Sequence, residues 1–299
     1  MRLSGRGVGM SLFSSLMFAL IPSYALLLAP LDGIQVFAQR LLWSLPVLLA
    51  LVVITGHWRK FLLCLRQLKR RPILTLGLLA SASILGSQWF LFVWSPLNGH
   101  MLDITLGYFL MPLVLVLVGR VFYQERLRAL QKIAVLLAVI GCVHELFALG
   151  AISWVTVVTM FGYPPYFMLR RWMKFDAFSG FFLEMLVLAP VAITLMYLYG
   201  DTFSLIQVQP WLIPLLLGMG ILSSFAFAAM IAASRLLPLG VLGILSYIEP
   251  VLLFLSSIFI VGEAVTSQQW WTYIPIWLAV VLVMFDSVRL LYKQAQRGY

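Results

Sequence analysis

Hydrophobic runs of about 20 residues recur along almost the whole length of this 299-residue chain. At about 1.5 Å per residue, each is long enough as a helix to cross a hydrocarbon layer of about 30 Å. Ten can be drawn, at 10–29, 36–54, 73–94, 101–122, 133–148, 152–169, 178–199, 211–233, 239–261 and 271–290. The chain is 63% hydrophobic and only 10% charged, which excludes a soluble globular domain. An all-α integral membrane protein of ten transmembrane helices is expected. The spans leave no linker for a soluble domain, so 1–299 reads as one membrane domain. The basic-then-apolar amino end resembles a secretory signal, but no soluble mature domain follows it, and it reads as a retained first span. Cys64, in a basic loop after the second span, and Cys142, inside the fifth, read as unpaired bystanders. Neither has ligands at metal spacing, and no metal or cofactor is expected.

Lysine and arginine fall in alternate loops, the pattern of an even number of spans with both termini cytoplasmic. Nineteen of the 20 lie on one side: Arg2 and Arg6, then the groups 59–71, 120–132 and 170–174, then Arg235, and finally Arg289, Lys293 and Arg297. Arg40, inside the second span, is the exception. This topology accounts for the net charge of +10 without nucleic acid, which would need a basic face on a folded domain.

The fourth span and its loop set Pro112, Glu125 and Gln131 at the same spacing as Pro250, Glu263 and Gln269 around the ninth. Arg40 and Pro46 in the second span match Glu184 and Pro190 in the seventh, and Pro22 and Tyr24 match Pro164 and Tyr166. The offsets, 138 to 144 residues, divide the chain into five-span repeats at 10–148 and 152–290. Five is odd, so the second repeat is expected upside down. The loop charges agree: Arg126 and Arg128 follow the fourth span, whereas the loop after the ninth, "GEAVTSQQW", has no basic residue. Inverted repeats with a midplane site are an architecture of secondary transporters.

With these features in place, the sequence resembles a known family. The carrying segments are "RLLWS" from Arg40, "WFLFVW" from Trp89, "NGHMLDITLGYFLMPL" from Asn98, "SYIEP" from Ser246 and "GE" at Gly262. They are similar to the drug/metabolite transporter superfamily, EamA type, and within it to the RarD group of predicted chloramphenicol-resistance permeases. The resemblance covers almost the whole chain. It implies a ten-helix inner-membrane carrier with a central cavity, and it points to a small organic molecule as the substrate. The chain departs from the group's pattern at Gln39, Gln88, Gln124, Ser246 and Glu249.

Glu249 is the one charge in "ILSYIEPVLLFLSSIFIV" and lies about 21 Å along a helix from both Arg235 and Glu263, at the midplane. A charge there costs about 2.5 to 3.5 kcal/mol, so such residues face a cavity or a partner. Pro250 disfavours the helical conformation at Glu249, and Pro112 and Pro250 are read as helix breaks at similar depth. The competing reading is a neutral, hydrogen-bonded glutamic acid. Arg40 and Glu184 either pair across the halves or touch substrate; both readings stay open. Trp43, Trp89, Trp94, Tyr108 and Tyr247 would line a cavity or pack as core, and Gln88 belongs with the cavity group. His100, near Asn98 and Asp103, reads as a satisfied loop residue, and Asp286 as a local partner of Arg289. The expected partners are a small-molecule substrate and the bilayer; proton coupling and a homodimer are left open.

The chain has no "HExxH", no phosphate-binding glycine loop and no histidine cluster, so an enzyme is not expected. A channel lacks its filter motif. The closest rival to a solute carrier is a lipid or lipid-linked sugar flippase.

Overall fold

A computed structural model describes residues 4–28, 31–97, 100–149, 152–199, 202–256 and 267–296. Its helices are α1 (Gly5–Ala25), α2 (Gly33–Ile54), α3 (Trp58–Arg70), α4 (Pro72–Leu97), α5 (Met101–Phe122), α6 (Ala129–Leu149), α7 (Trp154–Met173), α8 (Ala177–Leu198), α9 (Thr202–Val208), α10 (Leu212–Leu236), α11 (Leu239–Ser246), α12 (Ile248–Ser256) and α13 (Ser267–Gln296). A 3-10 turn, Leu26–Leu28, follows α1, and there is no strand among the described residues. Glu263, which completes the repeated proline–glutamate spacing, lies outside the described residues, as do Arg2, Asn98, Gly262 and Arg297.

Among the described residues, seven helices are long and apolar enough to cross a membrane: α2, α4, α5, α6, α8, α10 and α13. The expected first and ninth spans correspond to shorter apolar helices, and the sixth to α7, whose last turn carries Arg170 and Arg171. The ninth is interrupted. Tyr247 separates α11 from α12, three residues before Pro250. Pro250 has no N–H to offer Ser246, and its ring crowds the carbonyl four residues back, so the backbone ladder is interrupted there, while Tyr247 itself keeps helical angles (φ −64°, ψ −15°). Pro112, by contrast, leaves α5 a single helix, which corrects the break expected at that position. Helix α5 runs on through the missing backbone bond at Pro112, from Met101 to Phe122.

The expected basic loop after the second span is also corrected: it is α3. Phe61 and Cys64 are buried one turn apart, which gives the segment a packing face despite its charge.

The described chain forms two compact units. One comprises Ile21–Gly99 and Pro165–Ala228; the other comprises Met1–Leu20, His100–Pro164 and Ala229–Tyr299. Each unit draws on both halves of the sequence.

In the unit that holds α2, that helix runs antiparallel to α8. At one end Gln35 Nε2 donates to the Tyr199 carbonyl at 3.0 Å. At the other, His57 Nε2 and Lys60 Nζ stand 3.6 and 3.3 Å from Asp176 Oδ1. Local chemistry fixes both helix starts. Asp32 and Gln35 form a reciprocal capping box on α2, and Asp176 accepts from the Ser179 amide on α8.

The other unit repeats this arrangement twice. Glu125, just past α5, accepts from the Leu239 and Gly240 amides at 2.8 Å each, so the end of α5 meets the start of α11. Gly243 permits the close approach: a Cβ there would sit 2.6 Å from the Pro112 carbonyl oxygen. Helices α6 and α13 are clamped at both ends. Gln131 and Arg128 donate to Asp286 at 3.2 and 3.4 Å, and Thr272 donates to Glu145 at 2.6 Å. The expected Asp286–Arg289 pair is therefore replaced by contacts to α6. Asp286 is largely buried, and Arg128 and Gln131 reach it across the helix interface, whereas Arg289 is exposed.

Candidate functional site

Charge inside an apolar core needs a partner, so the functional residues are best traced from the buried ionic groups. In the unit containing α2 these are Arg40, Arg170 and Glu184, and all three are less than 5% exposed.

Arg40, on the second turn of α2, donates from Nε to Ser223 Oγ of α10 at 2.8 Å. Its guanidinium carbon lies 3.9 Å from the centroid of the Trp89 ring, a cation–π stack on α4. Trp89 meets Phe181 and Phe227 edge-on, at 6.2 and 5.6 Å between ring centroids, and Phe227 lies 5.6 Å from Tyr166. Tyr166 donates to Glu184 Oε2 at 2.9 Å, and Ser81 donates to Oε1 at 2.7 Å. An aromatic bridge thus joins a buried cation to a buried anion.

The basic partner that the structure gives Glu184 is Arg170, with Nη1 at 3.6 Å from Oε1. Arg170 also donates through Nη2 to the Asp176 and Ala177 carbonyls, at 3.3 and 3.1 Å. Sequence reasoning missed this group by counting Arg170 among the loop charges. Gly180 makes room for it, since a Cβ there would collide with Nη1.

Polar capacity is left over around this cluster. Trp89 Nε1, Ser95 Oγ on α4 and Ser224 Oγ on α10 are buried with no hydrogen-bond partner. Trp43 donates to Gln39 one turn back on α2 at 2.9 Å, and Gln88 is buried beside Trp89 in sequence. Trp94 stacks on Phe90 at 6.2 Å.

The other unit places Tyr247 at the α11–α12 break, fully buried. Its hydroxyl donates to the Phe109 carbonyl at 2.8 Å and lies 3.5 Å from Cys142 Sγ. Glu249 is half-buried on the first turn of α12, and Tyr108 is half-buried on α5. His100 lies at the start of α5, where Nδ1 is 2.6 Å from Asp103 Oδ2, a partnered residue as expected. Cys64 and Cys142 are both buried, and neither is in a disulfide. Among the described residues, no group of three metal-ligating side chains occurs.

Over its full length the chain is 51% identical to the chloramphenicol-sensitive protein RarD of Pseudomonas aeruginosa, covering all of both chains. This chain belongs to the RarD family. The protein RarD of Salmonella typhi is 30% identical over 95% of this chain and 96% of its own. An uncharacterized transporter of Haemophilus influenzae is 34% identical over 98% of this chain and 96% of its own. No family model matches. A crystal structure 17% identical to the chain, with a TM-score of 0.66, aligns over 96% of this chain and 99% of its own, which is a likeness of fold alone. RarD-family membership together with seven long apolar helices makes this chain a multi-pass membrane permease.

Proposed function

We propose that the chain is a secondary transporter of the inner membrane, with both termini cytoplasmic, that moves a small organic solute by alternating access. The observation that carries this reading is the antiparallel packing of counterpart helices. Helices at equivalent places in the two sequence halves, α2 with α8, α5 with α11 and α6 with α13, lie side by side and head to tail. An in-plane two-fold between inverted repeats produces that pairing.

Individual hydrogen bonds support the same symmetry. Arg40 and Ser223 correspond to Glu184 and Ser81 at offsets of 144 and 142 residues, and each pair is bonded. Glu145 with Thr272 corresponds to Asp286 with Gln131, each residue 141 from its counterpart, and each pair is bonded too. Solute recognition is assigned to Arg40, Trp43, Gln88, Trp89, Tyr108, Glu184, Tyr247 and Glu249. Arg40 stacked on Trp89 offers a cationic and aromatic surface, and Trp89 Nε1 and Ser224 Oγ offer buried hydrogen bonds. In the transport cycle Arg40 exchanges between Trp89 and Glu184, and Glu249 carries the coupling proton.

The test is solute uptake by proteoliposomes. Chloramphenicol, the compound in the name of the Pseudomonas relative, is the first solute to try, followed by a thermal-shift screen of drug-like metabolites. Saturable uptake that Glu249→Gln lowers at least about tenfold, with folding unchanged and the pH dependence of binding removed, is expected. Lipid scrambling in the same vesicles without solute uptake would favour a flippase instead.

A further inference from the structure

Helix α3 presents three different faces, and packing explains only one of them. Phe61 and Cys64 turn inward, with the Phe61 ring 5.4 Å from Phe182 of α8. Trp58, Leu62 and Leu65, spaced i, i+4 and i+7, form an apolar strip 38 to 43% exposed beside the packed face. Arg59, Arg66 and Arg70, spaced i, i+7 and i+11, share the side facing away from the body, and all three are exposed. Lys60 alone turns to an acid, Asp176 at 3.3 Å. No acidic residue occurs in the chain between Arg59 and Asp103, and no ion pair engages Arg59, Arg66 or Arg70 among the described residues.

Depth follows from the neighbours. Helix α2 ends at Ile54 and α4 begins at Pro72, both of them membrane-spanning by length and composition, so α3 lies at the level where two spans leave the hydrocarbon. An apolar strip bordering a cationic face at that level is the pattern of a helix lying in the headgroup layer.

We propose that α3 is a binding element for anionic phospholipid, with Arg59, Arg66 and Arg70 on the phosphates and Trp58, Leu62 and Leu65 in the acyl boundary. The apolar strip identifies a lipid as the occupant, because a free phosphate would use the arginines and leave the strip in water. The element is also tied to the buried ion pair. His57 and Lys60 hold Asp176, which caps α8, and the Asp176 and Ala177 carbonyls hold Arg170 against Glu184. Lipid bound at α3 therefore steadies the start of α8.

The experiment uses the full chain in neutral micelles and measures its melting temperature as phosphatidylglycerol, phosphatidylcholine or inorganic phosphate is added. Phosphatidylglycerol is expected to raise it by roughly 3 °C or more, an effect that shrinks with ionic strength, while the other two leave it in place. The triple variant R59Q/R66Q/R70Q loses the rise, and R126Q/K132Q, which removes two exposed charges elsewhere, keeps it. Should the triple variant melt below the parent without lipid, R66Q alone is read, and a partial loss is expected. An undiminished rise in the arginine variants, an equal loss in R126Q/K132Q, or the same rise from inorganic phosphate would each overturn the proposal.

Discussion

Arg170 and Glu184 show how a fully buried ion pair is held. The carboxylate accepts from Ser81 and Tyr166 and lies 3.6 Å from Arg170 Nη1, and the guanidinium donates through Nη2 to two carbonyls at the start of α8. Removing one partner strands the other, which costs about 3 to 5 kcal/mol, whereas replacing both with apolar groups removes the stranded charge. Arg170→Met and Glu184→Leu are each expected to lower the melting temperature sharply, and the double variant to recover most of the loss. Thermal unfolding of the three variants checks this, and additive losses would contradict it. Glu125 makes a second residue-scale case, because its carboxylate satisfies two amides at the start of α11 that have no partner within the helix. Glu125→Ala is expected to cost about 1 to 2 kcal/mol by the same measurement. Neither role was legible in the sequence. Arg170 is followed by Arg171 and looks like a loop charge, and its burial is decided by Gly180 and Glu184 on another helix.

Elements were easier to read where hydrophobicity alone decides them. The fourth expected span and α5 share both ends, Met101 and Phe122, and the second differs from α2 only by three residues at its start. Helix α3 was missed because six basic residues between Arg59 and Arg71 concealed the inward positions of Phe61 and Cys64, whose partners lie in distant sequence. The interruption in the ninth span follows the effect expected of Pro250, displaced to Tyr247 because proline disturbs the carbonyl four residues back. At the same scale, Pro250→Ala supplies the missing N–H to Ser246 and is expected to join α11 to α12. Hydrogen exchange of the amides from Tyr247 to Val251 should slow at least about tenfold, and unchanged exchange would show that the break has another cause.

For the whole molecule, the apolar composition and the proline–glutamate spacing pointed to a membrane carrier, and the RarD relationship supports the permease part of that reading. How the repeats interlock was not legible. Each compact unit mixes both sequence halves, and only tertiary packing decides that α2 seeks α8 rather than a nearer neighbour. Opposite insertion of the two halves is the feature from which alternating access is inferred. It is tested most directly at Thr55 and Tyr199, which follow α2 and α8, stand 144 residues apart and are both exposed. Single cysteines there, in a chain with Cys64 and Cys142 replaced, are labelled with a membrane-impermeant maleimide in right-side-out and inside-out vesicles. Tyr199→Cys is expected to react only in right-side-out vesicles and Thr55→Cys only in inside-out ones. Reaction of both in the same vesicles alone would place the two helix ends on one side of the membrane and contradict the inverted arrangement.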